Sequence, residues 1–213
     1  MQTFDALARS MMASFDAKDR AREESLRLSR DVVRLSSSSI RSVHRGDLEA
    51  AEESMTAAAA GLERIRELLR DHQDLRYAGF VDGAEQEYAE ARCLHSIISR
   101  HEILMPEEIG VELANYLAGL GDATGELRRH ILDLIRMGRA EDGEYFLGVM
   151  EDIHNLLMLF DYPEAVTRGL RRKSDLARSM LERTRGDLTN ALEMGKFGAS
   201  LSHLLQRIRE HES

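Results

Sequence analysis

Tryptophan is absent from this chain, and aromatic residues make up only 5% of its 213 positions. A core must therefore be assembled from Leu, Ile, Met and Ala, which favours flat helical seams that pack onto further helices, including those of other subunits. Only two prolines occur, Pro106 and Pro163, so long helices can run with few forced breaks. The single cysteine, Cys93, excludes an intramolecular disulfide and reads as a small, reduced, buried residue. No apolar run approaches the roughly 18 residues of a membrane span. Asp5 and Arg9 interrupt any signal-peptide pattern, and the expectation is a soluble, cytoplasmic protein with no membrane partner. There is no alternating strand pattern and no internal repeat. A GxSxG string, a glycine-rich phosphate loop and zinc-type Cys/His spacing are all missing, which removes three common chemistries. His95 and His101 are six residues apart, a poor spacing for one helix face, and His154 stands alone in an apolar stretch.

What is present is rich in Ala, Leu, Glu and Arg and predicts an all-α protein, a single domain over residues 1–213. The pattern predicts seven helices. The first runs from near Thr3 to Arg45, with Leu28, Val32, Leu35, Ile40 and Val43 at helical spacing. Its serine run, Ser36 to Ser39, reads as a small-residue face that another helix can approach closely. Gly46 ends it and Asp47 caps the next. In that second helix, Leu48 to about Asp71, the residues Leu48, Ala51, Met55, Ala58, Leu62, Ile65 and Leu69 alternate steps of three and four. Such a seam suits near-antiparallel packing on the first helix. Further helices are expected from about Leu75 to His101, from Pro106 to about Met137, from Glu144 to Phe160, from Pro163 to about Arg185 and from Asp187 to Glu210.

The net charge is −9, from 38 acidic and 29 basic residues. A simple basic nucleic-acid binder would be positive overall, so any polyanion must meet a locally basic surface. Arg171, Arg172 and Lys173, with Arg168 and Arg178 nearby, are one such cluster, and Arg128 and Arg129 are another. Contacts from these residues to phosphate would be sequence-independent and sensitive to salt. With so many acids present, surface ion pairs compete for the same arginines. Arg129, three residues after Glu126, is the best single candidate for a phosphate contact.

Two acidic pairs stand out. Glu87 and Glu90 lie in QEYAEA, spaced i, i+3. Asp122 and Glu126 lie in YLAGLGDATGELRR, spaced i, i+4. On helices these spacings put each pair on one face, about 5–6 Å apart at Cβ. Acidic pairs at helical spacing ordinarily lie on a solvated face. Asp122, however, sits beside the apolar Leu117, Leu120, Ala123 and Leu127 rather than in a charged run. Two facing pairs would form an all-oxygen site suited to Mg²⁺ or Mn²⁺. Such ions activate water and neutralise phosphate in phosphodiester hydrolysis. Glu85 is one residue off the face of Glu87 and Glu90 and is left out of this set.

These strings resemble the translin and translin-associated factor X family. The resemblance covers nearly the whole chain: REESLRLSRDVVRLSSSSIRSVHRGD from Arg22, QEYAEA, YLAGLGDATGELRR, and FDYPEAVTRGLRRKSDLAR from Phe160. It implies a seven-helix bundle of long antiparallel helices, closed homo-oligomeric shells of about eight subunits, and binding of RNA and single-stranded DNA. The factor X branch is a Mg²⁺-dependent endoribonuclease whose carboxylates line the inner wall. The translin branch lacks part of that set, notably the aspartate. Here Gln86-Glu87-Tyr88-Ala89-Glu90 and Asp122-Ala123-Thr124-Gly125-Glu126 fill all four positions, so the chain resembles the catalytic branch. The lack of a long insertion between the two strings points to a compact form that builds the shell by itself.

The resulting expectation is a metal-dependent endoribonuclease acting on single-stranded or unpaired RNA. Glu87, Glu90, Asp122 and Glu126 serve as catalytic metal ligands, and Arg128, Arg129, Arg171, Arg172 and Lys173 contact nucleic acid. The alternatives are a binding shell of the same fold without catalysis, and a purely structural helical assembly whose acids are solvated.

Overall fold

The computed structural model describes residues 2–211. Described in chain order, the helices are α1 (Gln2–His44), α2 (Leu48–Leu68), α3 (Gln73–Arg76), α4 (Asp82–Arg100), α5 (Pro106–Ile109), α6 (Leu113–Arg136), α7 (Gly143–Met158), α8 (Glu164–Thr167) and α9 (Leu170–His211). A 3₁₀ turn, Ala140–Asp142, precedes α7. The all-α architecture is as expected, and the described residues contain no strand. No described helix is long and apolar enough to cross a membrane. The chain forms two compact units, residues 1–120 and 121–213, and the division falls inside α6.

In the first unit α1 and α2 form a long antiparallel hairpin. Gly46 turns the chain with φ of 77°, a conformation open to glycine at little cost. The Asp47 carboxylate then caps α2 by accepting the Ala50 amide at 3.2 Å. The α2 seam is buried at Ala51, Met55, Ala58, Leu62, Ile65 and Leu69. The face of α1 turned inward differs from the expected apolar one. Ser25, Ser29, Val32, Ser36, Ser39 and Val43 are buried in steps of four and three, with Ile40 and Ser42 buried beside them, while Leu28 and Leu35 are only half-buried. Small side chains let the helix axes approach, and Gly61 on α2 completes the fit: a Cβ there would stand 2.9 Å from Val32 Cγ2.

α4 packs against both α1 and α2 and is buried on nearly every side from Ala84 to Ile97. The expected single helix from Leu75 to His101 is interrupted at 77–81. The expected helix from Pro106 is likewise broken at Gly110, whose φ is 71°. A buried polar knot ties these pieces together. Glu85, 1% exposed, accepts Arg76 Nη2 at 2.7 Å, Asn115 Nδ2 at 2.8 Å and the Glu112 amide at 3.2 Å. Asn115 also donates to Asp82.

In the second unit, Ala123, Leu127, Ile131 and Leu134 of α6 supply a buried stripe. Phe146, Met150, Ile153 and Leu157 of α7 and Leu170, Ala177, Leu181 and Leu188 of α9 supply two more. The expected helix from Pro163 to about Arg185 is broken at Arg168 and Gly169, whose φ values are 49° and 90°, and its remainder runs on into the expected final helix as α9. Gly186 does not break α9, because an interior glycine costs only about 1 kcal/mol and the buried Leu181, Thr184 and Leu188 carry packing across it. No residue from 189 to 210 is buried.

Candidate functional site

Glu87 and Glu90 are held by the first unit. Both lie on α4, Glu87 half-buried and Glu90 buried. The start of α6 meets α4 at this same segment. A Cβ on Gly119 would fall 2.5 Å from the Gln86 carbonyl oxygen and 2.8 Å from the Glu90 amide nitrogen. Only glycine permits such a backbone-to-backbone approach. Burial pushes the Cys93 thiol up to about 12, consistent with an inert core thiol. Burial also lowers the His95 imidazole below its usual value, outweighing the pull of Glu52, so His95 is neutral at pH 7. Glu85 is fully engaged in the knot described above and is structural.

Asp122 and Glu126 are held by the second unit, one turn apart on α6. Lys173 of α9 donates to both oxygens of Asp122, each at 2.7 Å. The contact depends on Gly121, where a Cβ would stand 3.2 Å from Lys173 Cβ and 3.3 Å from Leu157 Cδ1. Thr124 turns its hydroxyl back to the Gly121 carbonyl at 2.7 Å, so it offers no donor to this pair. Glu126 is partly exposed, with Arg129 Nη1 3.7 Å away.

The proposed phosphate-contacting residues divide by what they already touch. Arg128 bonds Asp187 at 2.8 Å and Thr184 at 3.2 Å and so tethers α6 to α9. Lys173 is committed to Asp122. Arg129, Arg171 and Arg172 are exposed. Arg171 also edges an open groove of about 750 Å³ with Met158, Phe160 and Tyr162.

The carboxylates are the donor type a hard divalent ion takes. Among the described residues, no three His, Cys, Asp or Glu side chains are grouped to hold a metal ion. Sequence reasoning found the two pairs but missed Gly119, Gly121 and the role of Lys173. The glycines were visible in AGLGD as gaps in a large-residue stripe. The lysine gave no signal, being 51 positions from Asp122.

Comparison with known proteins places these features in a wider group. AfC3PO in complex with duplex RNA superposes with a TM-score of 0.79 at 32% identity, over 91% of this chain and 98% of that one. A further crystal structure of AfC3PO gives 0.78 at 33%, over the same shares. Apo-NeC3PO shares the fold with a TM-score of 0.74 at 24% identity, over 90% of this chain and 98% of its own. An uncharacterized protein of Methanocaldococcus jannaschii is 32% identical over 189 residues, 88% of this chain and 83% of the relative. The Translin family model matches residues 20–184, a span that holds both acidic strings and the lysine paired to Asp122, and the chain therefore belongs to the translin family.

Proposed function

We propose that this protein binds RNA as a homo-oligomeric shell and cleaves it with divalent-metal help, as an endoribonuclease. The observation that carries RNA binding is the likeness to AfC3PO, whose structure is a complex with duplex RNA. Short duplexes therefore join single-stranded RNA, and single-stranded DNA, as ligands to test. Cleavage is supported by the complete pair of strings, with Glu87, Glu90, Asp122 and Glu126 as the acting carboxylates and Mg²⁺, or Mn²⁺, as cofactor. Within the first unit, Gly119 seats the start of α6 directly on the α4 segment that carries Glu87 and Glu90. Arg129, Arg171 and Arg172 are the exposed cations for phosphate.

Assembly is supported by two uncovered apolar stripes. Phe4, Leu7, Met11 and Phe15 line the start of α1. Met194, Phe197, Leu201, Leu204 and Ile208 line the end of α9, in steps of three and four. Such a spacing is a helix-pairing seam, and further copies of this chain, eight in the proposed shell, would cover it. Leu201→Asp with Leu204→Asp should lower the particle mass measured by light scattering in physiological buffer. An unchanged mass would remove the α9 stripe from the assembly.

The reaction is tested by incubating the full chain with labelled single-stranded and short duplex RNA, in Mg²⁺ and in EDTA. Cleavage in Mg²⁺ alone is expected. The second reading, a binding shell without catalysis, is favoured by one observation: Asp122 is already occupied by an ammonium group. RNA binding with no cleavage in either Mg²⁺ or Mn²⁺ would establish it.

A further inference from the structure

We propose that the outward face of α1, from Arg27 to Arg45, contacts the phosphodiester backbone of RNA, and that Asp31 competes with phosphate on that face. The inference rests on the RNA-binding reading above. It adds a surface in the first unit to the cations already considered, Arg129, Arg171 and Arg172, which all belong to the second.

Between residues 27 and 46 the chain carries Arg27, Arg30, Arg34, Arg41 and Arg45 and a single acid, Asp31, in a protein whose net charge is −9. All of these arginines are exposed. At about 3.6 residues per turn they fall within roughly 60° of one another around α1, opposite the serine face that packs inward, and they span about 27 Å along the helix. Ser37 stands in the same stripe. Its short side chain keeps the middle of the face low and offers a hydroxyl of the kind that bonds phosphate. Asp31 sits between two of the arginines, 3.1 Å from Arg27 Nη1 and 3.2 Å from Arg34 Nη2. Glu24 also holds Arg27, at 2.7 Å. Arg45 donates to the Ser42 hydroxyl at 2.9 Å. Among the described residues, no carboxylate pairs with Arg30 or Arg41.

The composition of the face selects its partner. Among the described residues, no large apolar side chain is exposed between Phe15 and Leu48, whereas a lasting contact between protein copies buries an apolar centre. The stripe holds no aromatic ring on which a base could stack. What remains is a line of guanidinium groups, each able to grip a phosphate through two parallel N–H bonds. Such a line follows a polyanion by charge, so its contacts are independent of sequence and weaken with salt. Arg27 and Arg34 already converge on one anion, the Asp31 carboxylate, and a phosphate would have to take its place.

The test is a fluorescence-anisotropy titration of the full chain with labelled single-stranded and short duplex RNA over a range of salt, in EDTA so that cleavage plays no part. Arg30→Gln with Arg41→Gln should weaken binding of every RNA about tenfold and reduce the slope of log affinity against log salt by about 2. Arg30→Lys with Arg41→Lys should keep the original slope. Asp31→Asn releases Arg27 and Arg34, and should tighten binding about threefold and steepen the slope by about 1. Glu53→Gln removes the same charge from an exposed position on α2 and should leave the slope unchanged. Melting midpoints and particle masses should match across the set. If the glutamine pair is insoluble, Asp31→Asn against Glu53→Gln carries the comparison. Unchanged affinity and slope in the glutamine pair or in Asp31→Asn, with the unsubstituted chain binding RNA, would overturn the proposal alone. So would a lower particle mass in the glutamine pair, since the face would then meet a second copy of the chain. Absence of salt-sensitive RNA binding by the unsubstituted chain would overturn the RNA reading and this proposal with it.

Discussion

Gly119 lies against the backbone of Glu90, close enough that a methyl group at residue 119 would stand 2.8 Å from the Glu90 nitrogen. The obstacle is main chain rather than the tip of a flexible side chain, so the helices themselves must move. Gly119→Ala should destabilise the first unit by about 1–3 kcal/mol in urea unfolding. Gly125, in the second acidic string, has nothing within 4 Å of its Cβ position. Gly125→Ala should be neutral or stabilise by up to about 1 kcal/mol through helix propensity. Equal effects of the two substitutions would contradict the packing described.

Glu85 and Glu87 are two residues apart and should behave in opposite ways. Glu85→Ala leaves the buried Arg76 with the looser Glu112 pair at 3.6 Å and should cost about 3 kcal/mol of stability. Glu87→Ala should change stability by less than about 1 kcal/mol and abolish Mg²⁺-dependent cleavage. Parallel denaturation and nuclease measurements on the two variants check this.

Asp122→Ala should eliminate cleavage while RNA binding and particle mass persist, because the lysine it releases can reach water. Gel-shift and nuclease assays on one preparation separate the two effects. Turnover at the unsubstituted rate would remove Asp122 from the reaction. Loss of the assembled particle would give it a structural role instead.

RNA affinity should fall steeply with salt and depend little on sequence, as expected of contacts to phosphate. Arg129→Ala should weaken every RNA by a similar factor and reduce the slope of log affinity against log salt by about 1. Arg128→Ala should instead lower stability, because its guanidinium bonds Asp187 and Thr184. A sequence-dependent loss in the Arg129 variant would argue against a phosphate contact.

The features legible in the sequence were local ones. The α2 seam repeats every three and four residues, Asp47 caps it, and Pro106 opens a helix; each signal lies within a few positions of its effect. The breaks at 77–81 and at Gly110 were missed because the hydrophobic pattern continues across them. The join between the last two helices was missed for the opposite reason: Gly186 looked like an end, but buried neighbours on either side hold the helix together. In the site, both acidic pairs were visible as spacing. Their surroundings were not, since the Lys173–Asp122 and Arg76–Glu85 pairs are set by tertiary packing. The outcome for Arg128 turned on the same point, because an arginine near an acidic string can serve a ligand or a neighbouring helix.

The serine face of α1 has a consequence for how the first unit comes apart. Each serine at a position where leucine might stand forgoes on the order of 2 kcal/mol of burial. The Ser25, Ser29, Ser36 and Ser39 hydroxyls make no hydrogen bond across the hairpin. Detaching α1 thus wets a serine-rich face together with the α2 seam it covers, whereas detaching α4 would expose Leu94, Ile97 and the Glu85 knot. Amide protons along α1 should exchange with solvent through a partial opening that leaves α2 and α4 protected, which makes α1 the hinged outer leaf of the unit and α4 its keel.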